Sequence, residues 1–360
     1  MNLKRVIINL LPYGFVRYSY AKKYREGNII KYNQSLPNIE DSESKFKNIV
    51  SIQGFGFSGS GAVVDYLREF SNCLVLGSID TEGSVAKGKR HVNGEIDFLR
   101  HAGGLFEFEN YVNDNNPFSK DALIKRFILL VNSESIFHEK RMEVLINRFY
   151  NQLIDFEIDT RGHDDFNWHL ANILSPDSKI KVMKPLCLDD YRDLCRRLLT
   201  SMLNLFHKEK YSYLVLDQFC SDGNFDFKKY RTYIPNLKII FVYRDPRDTY
   251  AYSIMKNITW IPHDNVEKFV KWYKNAKYKL DFYSRDFLLI RFEDLVMNYE
   301  KTTKMIVEYL DMQMGFHTYP HSCFLPEESA KNIAIWKRLE GKEDDLEIIK
   351  TELSEYCYEM

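Results

Sequence analysis

Charge of one sign is what this chain most clearly lacks. Its 360 residues carry 50 Lys and Arg against 51 Asp and Glu, a formal net charge of −1. That balance excludes a broadly basic surface for nucleic acid, although a local anion site is independent of the sum. Paired cysteine is missing too. Cys73, Cys187, Cys195, Cys220, Cys323 and Cys357 form no C-x-x-C, and no His/Cys cluster has zinc spacing. They read as reduced thiols of a cytoplasmic protein, with no metal expected. Internal repeats and low-complexity tracts are absent. At the N-terminus the apolar run is too short and interrupted to span a membrane, and it lacks a small-residue cleavage site.

What is present is ordinary in bulk. Hydrophobic residues make up 45% and charged residues 28%, as in soluble globular chains. The length suits one large domain or two small ones. Aromatics are the one excess, with 24 Tyr and 25 Phe. Core packing is the plainer reading of them, and sugar-stacking platforms are the sharper one.

Residues 1–25 contain Lys4, Arg5, Arg17, Lys22, Lys23 and Arg25 and no acid. Leu3, Val6, Ile7, Leu10 and Leu11 have helical spacing, and Pro12 ends the pattern. Such a segment suits an anionic membrane surface at the inner membrane, or docking on the protein's own body. A polar linker follows, so residues 1–46 are set apart from a domain over 47–360.

From there short β-branched runs alternate with amphipathic stretches. Strands are expected at Asn48–Gln53, Cys73–Gly77, Ile180–Met183, Tyr213–Leu216, Lys238–Val242 and Phe287–Ile290. Helices are expected at Gly61–Phe70, twice within 119–151, and at Asp189–His207. The alternation predicts an α/β fold: a parallel sheet flanked by helices, with helical insertions around residues 105–178.

The first strand runs into Gly54-Phe-Gly56-Phe57-Ser58-Gly59-Ser60-Gly61-Ala62. Glycine lets backbone amides approach a ligand, and the helix start adds free N–H groups and a positive dipole end. Strand, glycine loop and helix together make a phosphate cradle. Walker A, G-x-x-x-x-G-K-[ST], fits only as far as Gly59; Ser60 and Gly61 replace the Lys and Ser/Thr, which disfavours a metal-dependent NTPase. Gly54, Gly56 and Gly59 match the dinucleotide pattern G-x-G-x-x-G, and Asp80 stands where a ribose-binding acid would sit. An NAD(P)-dependent oxidoreductase is therefore a rival. A 5′-phosphosulfate loop, which needs amides and hydroxyls but no metal, is the third reading.

Ile239–Asp248 puts Arg244 and Arg247 at the end of a strand, where either guanidinium can clamp a phosphate. The sequence Tyr-Arg244-Asp-Pro-Arg247-Asp resembles the 3′-phosphate-binding strand and helix of the sulfotransferase family. Leu289-Ile-Arg291-Phe-Glu293-Asp294-Leu295 is similar to that family's R-[YF]-E-D-L element. Phe324–Lys337, with Lys331, Asn332, Trp336 and Lys337, looks like its late loop closing over the nucleotide. A last helix carries Leu346, Ile349, Leu353 and Tyr356 on one face. The elements occur in the family's order over residues 48–357.

The resemblance implies a P-loop fold and a donor, 3′-phosphoadenosine 5′-phosphosulfate (PAPS). It implies transfer of sulfate to a hydroxyl of a carbohydrate, in bacterial relatives a cell-envelope or capsular glycan, and so a place in polysaccharide biosynthesis. The implied nucleotide contacts are Gly56 to Ala62, Arg244, Arg247, Ser253, Lys331, Asn332, Trp336 and Lys337. Two positions depart from the family. Phe57 stands where a Lys or Arg is usual, so Lys184, Lys87 or Arg90 would have to supply that cation. Tyr252 stands where a Ser is usual, with Ser253 one residue on.

Transfer to a hydroxyl also needs a base. The segment Asn93–Leu105 resembles a stretch in bacterial relatives and offers Glu95 first, then His101 and Asp97. Solvated loop charges are the plainer reading of each. Asp217-Gln218 is placed to face the same crevice, and His163 and His169 read as surface residues. A P-loop protein that binds nucleotide or glycan without turnover remains the non-enzymatic alternative.

Overall fold

The computed structural model describes residues 37–76, 99, 104–113, 117–133, 140–159, 179–220 and 227–359. The basic segment at 1–25 lies outside them. The chain forms two compact units. One gathers residues 44–87, 91–95 and 207–360, the other 1–43, 88–90 and 96–206.

Strand β1, Asn48–Gly54, is buried at six of its seven positions. Its run Ile49-Val50-Ser51-Ile52 is buried on both faces, as befits a central parallel strand. Helix α1, Ser60–Arg68, follows the glycine loop and buries Val63, Val64, Tyr66 and Leu67. Strand β2 is Cys73–Leu76.

The next elements belong to the second unit. A single helical turn at Leu105–Phe108 precedes α2, Pro117–Ser133, and α3, Lys140–Leu153. Strand β3, Ile154–Asp159, then pairs antiparallel with β4, Lys179–Met183. This corrects the sequence expectation for Ile180–Met183, which is a strand but has no place in the parallel sheet. Its partner β3 was not expected, although Ile-Asp-Phe-Glu-Ile-Asp alternates with period two; six residues after a long helical pattern read as its continuation. Asp121 of α2 is buried and accepts the Lys181 amide at 2.8 Å and an ion pair from Lys125 at 2.7 Å. Helix α4, Leu188–Asn204, completes the unit, with Cys187 capping it.

The first unit resumes with β5, Tyr213–Asp217, and α5, Phe227–Tyr233. Strand β6, Leu237–Tyr243, feeds α6, Pro246–Met255, and α7, Val266–Tyr283, follows. Strand β7, Leu288–Arg291, runs into α8, Phe292–Met297, and α9, Tyr299–Leu310. The short α10, Pro326–Ala330, and α11, Glu343–Glu352, close the chain.

The five strands of this unit are all parallel, in the order β2-β5-β1-β6-β7. One face carries α1, α8 and α9 over Val50, Ile52, Val215 and Ile240. A second cluster joins Tyr250 of α6, Phe269 and Tyr273 of α7, and Ile349 and Leu353 around α11, with Phe55 against it. At roughly 1.5–3 kcal/mol for each large apolar side chain removed from water, these layers hold the strand ends in register. A dinucleotide fold places its second strand beside the first. Here β5 lies between β2 and β1, which departs from that order.

Candidate active site

The glycine loop lies at the C-terminal edge of β1, where open α/β sheets bind ligands. Its backbone takes left-handed angles at Gly56, Phe57 and Gly59, with φ of 64°, 55° and 86°. Glycine is required at two of these on steric grounds as well. A Cβ on Gly56 would stand 2.8 Å from the Trp272 ring, and one on Gly59 would stand 2.3 Å from the Phe292 ring. The loop is thereby wedged against α7 on one side and α8 on the other. Ser58 is buried beneath the loop. Helix α1 opens after Gly59 with no side chain capping it and no acid in its first turn. Its first N–H groups and its dipole are left to an anion. Gln218, at the end of β5, donates to the Ser60 hydroxyl at 3.0 Å, so that strand end does reach the loop.

A cleft of about 450 Å³ opens here. Gly59–Ala62 line it with Phe57, Arg244 and Tyr252; Cys323, Phe324, Leu325, Ser329 and Asn332 form part of the far wall. Three motifs far apart in sequence thus meet on one space.

Arg244 makes the junction. It is only 4% exposed. One guanidinium nitrogen donates to the Phe57 carbonyl at 3.4 Å and the other to the Asn332 carbonyl. Asp248 lies 3.7 Å away, and the Phe292 ring is 5.3 Å from the guanidinium carbon. Its Nε is buried with no hydrogen-bond partner. Among the described residues lining the cleft, Arg244 is the one cation.

Arg247 has a different position. It forks onto Asp245, with Nη2 2.6 Å and Nε 3.1 Å from the two carboxylate oxygens, and donates to the Tyr358 carbonyl at 3.0 Å. The Trp336 ring lies 4.5 Å from its guanidinium carbon. Arg247 therefore braces the C-terminal tail, Trp336 packs on Arg247, and neither is among the residues that line the cleft. Ser253 is fully buried and donates to the Tyr250 carbonyl at 2.7 Å. The residue in the cleft is its neighbour Tyr252, the one that departs from the family pattern.

The late loop is held from two sides. Asp248 accepts the amides of Ala334 at 2.8 Å and Trp336 at 3.1 Å. Burial raises its carboxyl above the usual range, opposed by Arg244. At the other end the buried Glu69 accepts the amides of Cys323 at 3.1 Å and Phe324 at 2.8 Å, and pairs with His317 at 2.8 Å. No sequence signal marks this clamp, because its members stand 248 residues apart. Ser329 and Asn332 line the cleft, while Lys331 and Lys337 are exposed; Lys331 pairs with Glu328 at 2.5 Å, and Lys337 lies over the Trp336 ring.

Beneath Arg244 lies Glu293 of α8, fully buried. One oxygen accepts the Asp245 amide at 2.9 Å and the other has no hydrogen-bond partner. Burial pushes its carboxyl up to about 7. Tyr273 donates to the Arg244 carbonyl at 2.6 Å. The strand-to-helix corner that aims Arg244 is thus fixed from α7 and α8 together.

Glu95, Asp97, His101, Lys87, Arg90 and Asp80 lie outside the described residues, as do His163 and His169. Lys184 follows β4 in the second unit, its amide donating to the Leu153 carbonyl at 2.9 Å. Among the described residues no group of three or more His, Cys, Asp or Glu could hold a metal. No helix among them is long and apolar enough to cross a membrane.

Comparison with known proteins adds a family to this geometry. A model described as sulfotransferase family matches residues 224–315, the stretch from α5 to α9 that holds Arg244, Arg247, Phe292 and Glu293. No curated protein matches the chain. Two solved structures are similar at low identity. The sulfotransferase STF9 from Mycobacterium avium is 11% identical, covering 94% of this chain and 80% of that one, with a TM-score of 0.37. The sulfotransferase domain of the Synechococcus PCC 7002 olefin synthase is 10% identical, covering 92% and 99%, with a TM-score of 0.39. Similarity at that level adds nothing to the argument from the cleft and the matched segment. The segment similar to the sulfotransferase family carries the arginine corner and the element packed against the glycine loop.

Proposed function

We propose that this protein transfers a sulfuryl group from PAPS to a hydroxyl of a carbohydrate, in the cytoplasm, toward an envelope or capsular glycan. One observation carries the donor half of the reading. Arg244 bonds the glycine loop at Phe57 and the late loop at Asn332 at once, over a cleft that both loops line. A cleft of about 450 Å³ falls within the roughly 300–1,000 Å³ usual for small-molecule sites. The Arg244 guanidinium on the cleft wall and the uncapped start of α1 are suited to anionic oxygens.

Bound PAPS would supply the activated sulfate on a phosphate leaving group. The amides of Gly59–Ala62 and the Ser60 hydroxyl would hold its 5′ end, and Arg244 and the Asn332 segment its 3′-phosphate. Preorganised amides favour charge that develops on the leaving oxygen, because they need no reorientation during transfer. Glu95 or His101 would take the proton of the acceptor hydroxyl. Lys184, Lys87 or Arg90 would supply the cation that Phe57 does not.

A mass-shift assay tests this directly. The full chain is incubated with PAPS and envelope oligosaccharides, and the product gains one sulfate. Phe57 favours a second reading, a nucleotide-binding module without turnover. That module would bind 3′-phosphoadenosine 5′-phosphate (PAP), the desulfated nucleotide, and give no sulfated product.

A further inference from the structure

Phe57 is a bulky side chain on left-handed backbone, φ 55°. Such a conformation costs on the order of 1 kcal/mol and persists only where its surroundings enforce it. What it achieves is the placing of a ring. Phe57 lies 4.9 Å from the Tyr252 ring at 35° and 5.6 Å from the Trp260 ring at 28°. Phe57 and Tyr252 line the cleft beside Gly59–Ala62 and Arg244. Phe57 is 41% exposed and Trp260 59%. A row of rings, Tyr252, Phe57 and Trp260 in that order, with successive tilts of 35° and 28°, therefore leads from the cleft to an open indole.

The turn that carries Trp260 is fixed. Ile258 donates its amide to Ser253 at 2.9 Å. The Nδ1 of His263 lies 3.1 Å from the Ile258 carbonyl and 3.0 Å from that of Ile261. Ile261 is buried. The row is thus preformed, which lowers the cost of binding to it.

The chemistry of the row selects its occupant. An aromatic face is negative, so it repels phosphate and sulfate and attracts polarised C–H groups. Enclosed small-molecule pockets bury about 70–90% of their ligand. A shelf this open suits one ring of a longer molecule. Hydroxyl-binding groups stand in the same cleft: the carboxylates of Asp65 and Glu328 and the amide of Asn332. Asp65 pairs with Arg68 and Glu328 with Lys331. A carboxylate has acceptor sites on two oxygens, so a single cation leaves room for a hydroxyl.

We infer that the Tyr252–Phe57–Trp260 row is an acceptor shelf, on which a pyranose ring of a glycan chain stacks beside the glycine cradle. The inference rests on the transfer reading and adds a place for the acceptor. It also gives a reason for Phe57: the position presents a ring-binding surface where a cation was expected.

The test uses the full chain saturated with PAP. Saturation-transfer NMR is recorded with cello-, malto- and chito-oligosaccharides and, separately, with naphthol as a planar acceptor. Ring C–H protons of at least one oligosaccharide should receive saturation from the protein. Trp260→Ala should weaken that binding about fivefold, the size of one stacking contact, and Trp260→Phe should restore most of it. PAP affinity, measured by calorimetry on the same samples, should stay within about twofold in Trp260→Ala, because Trp260 is not among the residues that line the cleft. The inference is overturned if no oligosaccharide receives saturation, if Trp260→Ala leaves sugar binding unchanged, or if that variant weakens PAP as much as sugar. Failure of the wild-type chain to bind PAP would instead remove the transfer reading itself.

Discussion

Phe292 fills the space in which Gly59 would carry a side chain. A Cβ there would stand 2.3 Å from the ring, and Gly59 has a φ of 86°. The first residue of α8 therefore shapes the glycine loop by packing, and its ring also lines the cleft. Gly59→Ala should lose about 2–4 kcal/mol of stability, from backbone strain and overpacking together. Phe292→Ala relieves the clash, so the double variant should recover part of that loss in a denaturant titration. Recovery would be absent if strain at φ alone set the cost.

The two arginines of the corner should separate cleanly. Arg244→Ala removes the one cation among the described lining residues and should weaken PAP binding about tenfold to a hundredfold, the range for hydrogen bonds to charged groups. Arg247→Ala strands the buried Asp245 and should cost about 3 kcal/mol of stability, with a smaller effect on the nucleotide. Calorimetry and thermal unfolding of the two variants check the split. Equal loss of PAP affinity in both would place Arg247 at the ligand.

Much of this arrangement was legible in the sequence. All five strands of the parallel sheet stood out as short apolar runs, including the edge strands β2 and β7, which are only partly buried. The glycine loop and the arginine corner were legible because backbone geometry and strand ends restrict which residues can stand there. The roles of Arg247 and Trp336 were not legible. A guanidinium at a strand end serves a ligand or a neighbouring carboxylate equally well, and the choice depends on where the C-terminal tail runs. The Glu69–His317 clamp was invisible for the same reason, since a buried polar pair has no local pattern. Strand β3 was hidden by the helix that runs straight into it.

Glu293 gives the site a pH signature. Its carboxyl is pushed up from 4.5 to about 7 by burial, so the folded state holds its proton more tightly than the unfolded chain. Between those two values the unfolded chain is ionised and the folded chain is not. Stability from this group is therefore present near pH 4.5 and lost as pH rises toward 7, at up to about 1.4 kcal/mol per unit. Glu293→Gln should remove that slope from the unfolding free energy measured across the interval. An unchanged slope would assign the pH dependence to other groups.

Phe57→Lys returns a cation to the loop. If the donor's charge is only partly met, the variant should bind PAPS several-fold more tightly, as expected of one added charge-assisted hydrogen bond. It should at the same time lose affinity for oligosaccharide, because the central ring of the row is gone. Kinetics with both substrates varied would show the opposed changes in KM.

The central claim is that the glycine loop, Arg244 and the late loop form one site for a 3′-phosphorylated nucleotide. Calorimetric titration of the full chain with PAP tests it most directly, with 5′-AMP and NADP as comparison ligands. PAP should bind at least about tenfold tighter than 5′-AMP, the share of one well-paired phosphate, and Arg244→Ala should lose that preference. Equal affinity for PAP and 5′-AMP, or preference for NADP, would contradict it.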